Sequence, residues 1–280
     1  MTTWRVAGRT LEFGPPQAAG IVNVTDDSFF SGARSGTPER AIADGLRLVE
    51  AGFEILDVGA VAARAGAPVA AGDEAGRLVP AVAGLAAESG VPVLADTFSP
   101  EVAALAVGAG AAAINDIGGG QPEMLNAIAG SDCGYVLMHI EGPPRVDRPA
   151  PRYDDVVEHL KNWFATGLER CAAAGIDPER VALDPGLDFD LTTDDGIAIM
   201  RRLGELRELG RPLFVALSRK DFLGAIVAGS WEERLEPDDR GPATLAATAL
   251  AVAQGAEMLR LHDVEALDAM HVAAAVSGPA

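Results

Sequence analysis

A chain of 280 residues with 49% hydrophobic content can bury a full core, and α/β barrels of about 250 residues routinely form one domain. Its 41 acidic and 22 basic side chains leave a formal net charge of −19, a field that repels nucleic acid and anionic lipid. Aromatics make up only 5% while Ala and Gly abound, which suits close helix-on-sheet packing better than a sandwich built on aromatic pairs.

Residues 4–13 alternate weakly around Ala7-Gly8, which predicts a short hairpin (Trp4 to Val6, Thr10 to Phe13) suited to plugging the lower end of a barrel. Residues 19–24 form the first apolar strand. Thr37-Pro38-Glu39 then opens a helix, with Thr37 as N-cap and Pro38 at the first position. Ile42, Leu46 and Val49 follow at amphipathic spacing, and Gly52 ends the helix before the strand Phe53 to Val58.

The same unit recurs along the chain. Helix 72–89 leads to strand 91–96, helix 100–109 to 111–115 and helix 122–130 to 135–139. Helix 153–174 leads to 181–184, helix 194–209 to 213–218 and helix 242–254 to 258–262, and helix 263–276 closes the series. Strands alternating with helices imply a parallel sheet. An open doubly wound sheet competes, but eight units in this length favour a closed (β/α)₈ TIM barrel, with 1–280 as one domain and 1–18 as its hairpin segment.

Each of the eight strands ends on a polar residue: Asn23, Asp57, Asp96, Asn115, His139, Asp184, Ser218 and His262. One such terminus means little, because a buried strand must end in a loop. All of them together line one rim of a parallel barrel, where the active site of this architecture lies. The long connections 24–38, 59–71, 140–152, 185–193 and 219–241 all follow strand ends, so they share that face. The Pro-rich, basic stretch from Pro143 to Arg152 fits either a lid or a plain surface connection. Three converging carboxylates without metal-ligand spacing suit a ligand rich in N–H donors or a hydrated cation. Arg260 and His262 are two apart on the last strand and share a side; with Asn23 next door they could form a phosphate pocket. Lys220, just past the seventh strand, is placed to reach inward.

Other motifs carry less. Gly108-Ala-Gly110 precedes a strand, so it fails the context of a dinucleotide fingerprint. There is no nucleophile elbow, zinc-protease helix or phosphate-binding lysine loop, and the four histidines show no zinc spacing; His159 and His271 read as ordinary surface or packing residues. Cys133 and Cys171 show no metal spacing, and Cys171 falls on the apolar helix face of Val156, Leu160 and Phe164. The N-terminal run lacks an apolar leader core, and no window approaches the roughly 20 apolar residues of a membrane span, so a reduced, cytoplasmic protein is expected.

Taken in order, these segments resemble the dihydropteroate synthase family of pterin-binding barrels. The run from Gly20 to Phe29 resembles its first signature, and Leu56-Asp57-Val58-Gly59 with Arg64-Ala65-Gly66-Ala67 its second. Asp96-Thr97, Ile114-Asn115-Asp116, Met138-His139, Asp184-Pro185-Gly186, Ser218-Arg219-Lys220 and Arg260-Leu261-His262-Asp263 match the later ones in register. The resemblance implies a transferase of folate-type biosynthesis. It would join a dihydropterin-6-ylmethyl diphosphate to p-aminobenzoate, or a related aryl amine, and release diphosphate. It implies that Asp96, Asn115 and Asp184 grip the pterin edge, that Lys220 donates to its carbonyl and ring nitrogen, and that Ile117, Met138 and Phe189 pack on its faces. Diphosphate would sit on Asn23, Arg64, Arg260 and His262, with Asn23 also a Mg²⁺ ligand. The second substrate would meet Arg64, Ser218 and Arg219. Asp96, Lys220 and Arg260 are the expected catalytic residues, no protein nucleophile is required, and a homodimer is expected.

Departures from the family pattern cluster in the loops. Asp26 replaces a proline, Val61-Ala62-Ala63 replaces Glu-Ser-Thr, and Ala65 replaces a second proline. The run Leu187 to Leu191 departs from the family's glycines and lysine, and Ala216 stands where a glycine is usual, bringing a methyl towards the pterin. These changes motivate rival readings: a divergent paralogue with another acceptor or pterin, or a non-catalytic pterin-binding protein. A folate-dependent methyltransferase would share the pterin edge but would not need Asn23, Arg260 and His262.

Overall fold

The structure, a computed structural model, describes residues 2–25, 35–63, 66–146 and 148–277. It opens with the antiparallel hairpin β1 (Thr2–Val6) and β2 (Arg9–Phe13), in which Trp4 faces Leu11. Then β3 (Gln17–Asn23), α1 (Pro38–Glu50), β4 (Ile55–Gly59), α2 (Ala71–Glu88), β5 (Val93–Asp96), α3 (Pro100–Gly108), β6 (Ala113–Asp116), α4 (Pro122–Ala129) and β7 (Gly134–Met138) alternate. The second half continues with α5 (Val156–Ala173), β8 (Val181–Asp184), α6 (Thr193–Arg202), β9 (Phe214–Ala216), α7 (Asp221–Ala228), α8 (Gly241–Ala253), β10 (Met258–Leu261) and α9 (Val264–Ser277).

The eight strands from β3 onward are parallel, in the order β8-β7-β6-β5-β4-β3-β10-β9. A parallel bridge between Leu183 and Leu213, with the Leu183 N–H donating to the Pro212 carbonyl at 2.9 Å, joins β8 to β9 and closes the ring. This is the expected (β/α)₈ barrel with its N-terminal hairpin. No helix among the described residues is long and apolar enough to cross a membrane.

Local chemistry explains the helix starts. Thr37 accepts from the Arg40 N–H, Ser99 from Val102, and Asp155 from both Val157 and Glu158, so each cap satisfies N–H groups that the first turn leaves without partners. Two elements differ from expectation. The segment 194–209 is α-helical only to Arg202 and then tightens into a 3₁₀ run, Leu203–Leu209, that ends at left-handed Gly210. The connection 219–241 is not one loop, because it contains α7 and a short 3₁₀ turn, Pro237–Arg240.

Two cores hold the ring. The larger lies between sheet and helices and includes Val156, Leu160, Phe164 and Cys171 of α5. The smaller fills the lower end, where Trp4, Val6 and Phe13 of the hairpin pack on Ile55, Leu94, Val136, Phe214 and Met258. Trp4 is fully buried, and its indole N–H donates to the Arg180 carbonyl at 2.7 Å. With the floor sealed, the cavity can open only at the C-terminal rim.

Candidate active site

Arg260 of β10 organises the centre of the rim. Its Nη2 donates to Asp96 at 2.7 Å and its Nε donates to Asp57, so one guanidinium bridges carboxylates of β4 and β5. Asn115 of β6 donates to the same Asp57 oxygen at 3.2 Å. Asp57, one of the converging carboxylates, is completely buried and orients both Arg260 and Asn115, a role that no sequence motif announces. The second oxygen of Asp57 and the Oδ1 of Asn115 are buried acceptors with no hydrogen-bond partner among the described residues. Buried acceptors left this way are costly, so they mark where a donor-rich ligand would dock.

Burial dominates the titration of these groups. It raises Asp96 above the ordinary carboxylate range, with Arg260 pulling the other way. Asp184 is pushed up to about 6 by burial, against the Gly186 N–H, which donates to it at 2.8 Å, and the charges of Lys220 and Arg260. Burial opposes the Arg260 charge, but Asp57 and Asp96 outweigh it and raise its pKa, so Arg260 is a permanent cation.

Lys220 enters through a bent turn. Arg219 has φ 57, in the left-handed region, and its N–H donates to Thr244 Oγ1 at 2.9 Å. The Arg219 guanidinium holds Asp263 and the carbonyls of Pro237 and Asp238. The residue expected at the second substrate therefore anchors the turn that aims its neighbour. Lys220 Nζ donates to the Leu187 carbonyl at 2.7 Å and lies 4.7 Å from the centre of the Phe189 ring. That carbonyl is presented by Asp184-Pro185-Gly186, where Gly186 has φ +68 and an added Cβ would lie 2.1 Å from the His139 carbonyl oxygen.

Ile117, Met138 and Phe189 come together in the structure. Ile117, Met138 and Ile140 form one buried cluster, with Phe189, Phe98 and Ala63 packed against it. Asn23, at the end of β3, also borders this centre: a Cβ built on Gly59 would lie 3.6 Å from Asn23 Oδ1 and 3.5 Å from Asp96 Oδ2. Ala216 is half-buried on β9 as the register partner of Arg260. Arg64, Ala65 and Asp26 lie outside the described residues.

Ser218 Oγ lies 2.9 Å from His262 Nδ1 and accepts the His262 backbone N–H at 3.4 Å. The serine hydroxyl can donate or accept, so this contact holds the ring in place with either tautomer. Burial first, then Arg260, Arg219 and Lys220, pull the His262 pKa down to about 3, so the ring is neutral. Ser218 thus positions His262.

His139 departs from the expected rim. It follows β7 one residue after Met138, and strand alternation turns it outward, where its ring packs on Trp163 (5.1 Å between centroids) and His159 (5.4 Å) of α5. It is fully buried, and burial lowers its pKa to about 4. His159, read as an ordinary helix residue, joins it at Glu141.

Known proteins resemble this chain over most of its length. A family profile described as pterin binding enzyme matches residues 19–262. Dihydropteroate synthase of Mycobacterium leprae (strain TN) is 39% identical over 271 residues, 95% of each chain. The chain belongs to the dihydropteroate synthase family. The solved structure of the Xanthomonas albilineans family member in complex with 7,8-dihydropteroate is similar over 100% of both chains, with a TM-score of 0.84 and 37% identity. The same enzyme has been solved with 4-aminobenzoic acid, at the same TM-score, identity and coverage. Family membership makes this chain a transferase.

Proposed function

We propose that this protein condenses a dihydropterin-6-ylmethyl diphosphate with p-aminobenzoate, or a closely related aryl amine, and releases diphosphate. What carries the reading is the junction at Arg260: one guanidinium suited to the leaving group holds Asp96, an acid suited to the pterin edge, together with Asp57. Asn115 Oδ1 and the carboxylates of Asp96 and Asp184 accept from the N–H donors of the aminopyrimidinone. Lys220 turns from the Leu187 carbonyl to the pterin carbonyl and ring nitrogen. Ile117, Met138 and Phe189 exclude water from the ring faces.

The chemistry then needs no protein nucleophile. The C–O bond to diphosphate breaks and its electron pair leaves with the anion. The electron-rich pterin shares the positive charge on the methylene carbon. The lone pair of the aryl amine forms the new C–N bond, and the nitrogen gives up one proton to the departing diphosphate or to water. Arg260, Arg64 and His262 oppose the charge that grows on the leaving oxygens, the standard electrostatic route to a lower barrier. Asn23 is the residue that would hold Mg²⁺, since its amide oxygen is a hard donor and phosphate oxygens and water complete such a shell. Bound there, the ion would neutralise leaving-group charge. Residence in the cytoplasm and a homodimeric assembly belong to the same proposal.

One observation favours a variant of this reading. Ala63 stands where the family carries a hydroxyl, and it packs beside the Ile117–Met138–Ile140 cluster. An acceptor that makes one polar contact fewer than p-aminobenzoate would suit that wall.

Incubating the protein with dihydropterin diphosphate, Mg²⁺ and p-aminobenzoate should yield diphosphate and dihydropteroate in equal amounts. Release with another aryl amine alone would identify a paralogue. Pterin binding without diphosphate release would overturn the enzymatic reading.

A further inference from the structure

Glu141 begins the 140–152 connection and touches two imidazoles. Its Oε1 lies 2.6 Å from His159 Nε2 and 3.1 Å from His139 Nε2. One ligand atom from each of the three residues falls within 4.8 Å of the other two. We propose that His139, Glu141 and His159 bind one divalent cation of the Zn²⁺ class, outside the pterin cavity.

The donor set suits that class. Two imidazoles and a carboxylate are a common zinc triad with a fourth position left for water, whereas Mg²⁺ takes oxygen ligands. Tetrahedral zinc with bonds of about 2.0–2.2 Å places its ligand atoms about 3.3 Å apart. Small side-chain rotations reach that spacing from the distances observed.

The surroundings prepare the site from one side. His139 is fully buried, and Glu141 is the polar contact of its ring, since Nδ1 has no hydrogen-bond partner among the described residues. Trp163 packs edge-on against the ring and fixes its plane. The Tyr153 hydroxyl donates to Glu141 Oε1 at 3.4 Å. Glu141 and His159 are partly exposed, with side-chain accessibilities of 27% and 34%, so a cation can enter from solvent and keep a water.

A cation here would fasten the end of β7, helix α5 and the 140–152 connection to one another. His159 belongs to α5, and Glu141 to the 140–152 connection. The His139 backbone N–H donates to the Asp184 carbonyl at 2.9 Å. The Glu141 backbone N–H donates to Asp190 Oδ2 at 3.0 Å, and Arg148 donates to the same oxygen at 2.6 Å. Farther along that connection, Arg145 donates to the carbonyls of Ala62 and Ala67, each at 2.6 Å. Metal binding would therefore stiffen the connection that holds the 59–71 loop.

The test is metal stoichiometry on the full chain after chelator treatment. Zn²⁺ is titrated against a chromophoric chelator with excess Mg²⁺ present, so that oxygen-only sites stay occupied. One Zn²⁺ per chain is expected, with Co²⁺ giving the intense visible bands of tetrahedral coordination. His159→Ala and Glu141→Gln, both at partly exposed positions, should each lose the site while circular dichroism stays unchanged. Zn²⁺ should slow proteolytic cleavage within 140–152 in the unaltered protein and not in the variants. A wild-type chain that takes up no stoichiometric Zn²⁺, or variants that bind it equally, would overturn the assignment.

Discussion

Arg260 and Asp96 meet at 2.7 Å across the mouth of the barrel, although β3 and β4 stand between their strands in the sheet. A cation expected to serve diphosphate is thus held by an acid expected to serve the pterin. The two half-sites are electrostatically one object, and a change to either side chain should be felt by both ligands.

Removing the cation should show this most plainly. Arg260→Met leaves buried Asp57 and half-buried Asp96 without their positive partner. Breaking a buried pair from one side costs about 3–5 kcal/mol, which urea unfolding would register. Arg260→Lys keeps the charge but loses the fork that reaches both acids, and it should retain most of the fold. Its kcat should fall by about 10²–10³, the usual effect of losing a transition-state donor. Normal turnover in Arg260→Lys would remove Arg260 from the leaving-group site.

Asp184 makes a pH-dependent prediction. Burial lifts its folded pKa to about 6, above the unfolded carboxylate value. The folded protein therefore holds this proton more tightly than the unfolded chain does. The resulting stability is complete below about pH 4 and is lost as the pH rises through about 6. Pterin N–H donors favour the ionised form, so binding should expel the proton. Affinity should rise between pH 5 and 7, and calorimetry in buffers of different ionisation enthalpy should detect proton release. Asp184→Asn should bind about 1–3 kcal/mol more weakly and show no such slope. An unchanged slope in that variant would assign the titration to another group.

Much of this centre could be read from the chain because a parallel barrel converts strand ends into a ring. Asp96, Asn115, Asp184 and Arg260 needed only the strand count to be placed together. His139 misled because rim membership depends on alternation as well as position, and Met138 takes the inward place. α7 gives no sequence signal because Asp221–Ala228 is nearly all apolar and shows no helical stripe. Its cap is remote as well: Asp188 accepts the N–H groups of Asp221 and Phe222 at 2.5 and 3.1 Å. The partners of Arg219, Asp263 and the carbonyls of Pro237 and Asp238, come from segments whose meeting no local pattern encodes.

Gly186 should be intolerant of any side chain. Its left-handed φ alone costs an alanine about 1–2 kcal/mol. The added methyl would also meet the His139 carbonyl oxygen at 2.1 Å, and neither a Cβ nor a backbone carbonyl can rotate away. Relief requires moving the turn that presents the Leu187 carbonyl to Lys220. Gly186→Ala should therefore lower the melting temperature and weaken pterin binding together. Lost stability with unaltered pterin affinity would separate the turn from the site.

The floor should behave in the opposite way. Trp4 sits at the sealed end among Val136, Phe214 and Met258, and every catalytic group proposed here is at the other end of the strands. Trp4→Ala opens a cavity and strands the Arg180 carbonyl, and large-to-small changes of this kind cost about 3–5 kcal/mol. Trp4→Phe keeps most of the volume and gives up the hydrogen bond, a loss of about 1 kcal/mol. Denaturant midpoints should follow that order, while KM for the pterin diphosphate in the folded fraction stays constant. A shift in KM with Trp4→Phe would mean that the hairpin is coupled to the rim through the strands, and the floor would then be part of the active-site machinery.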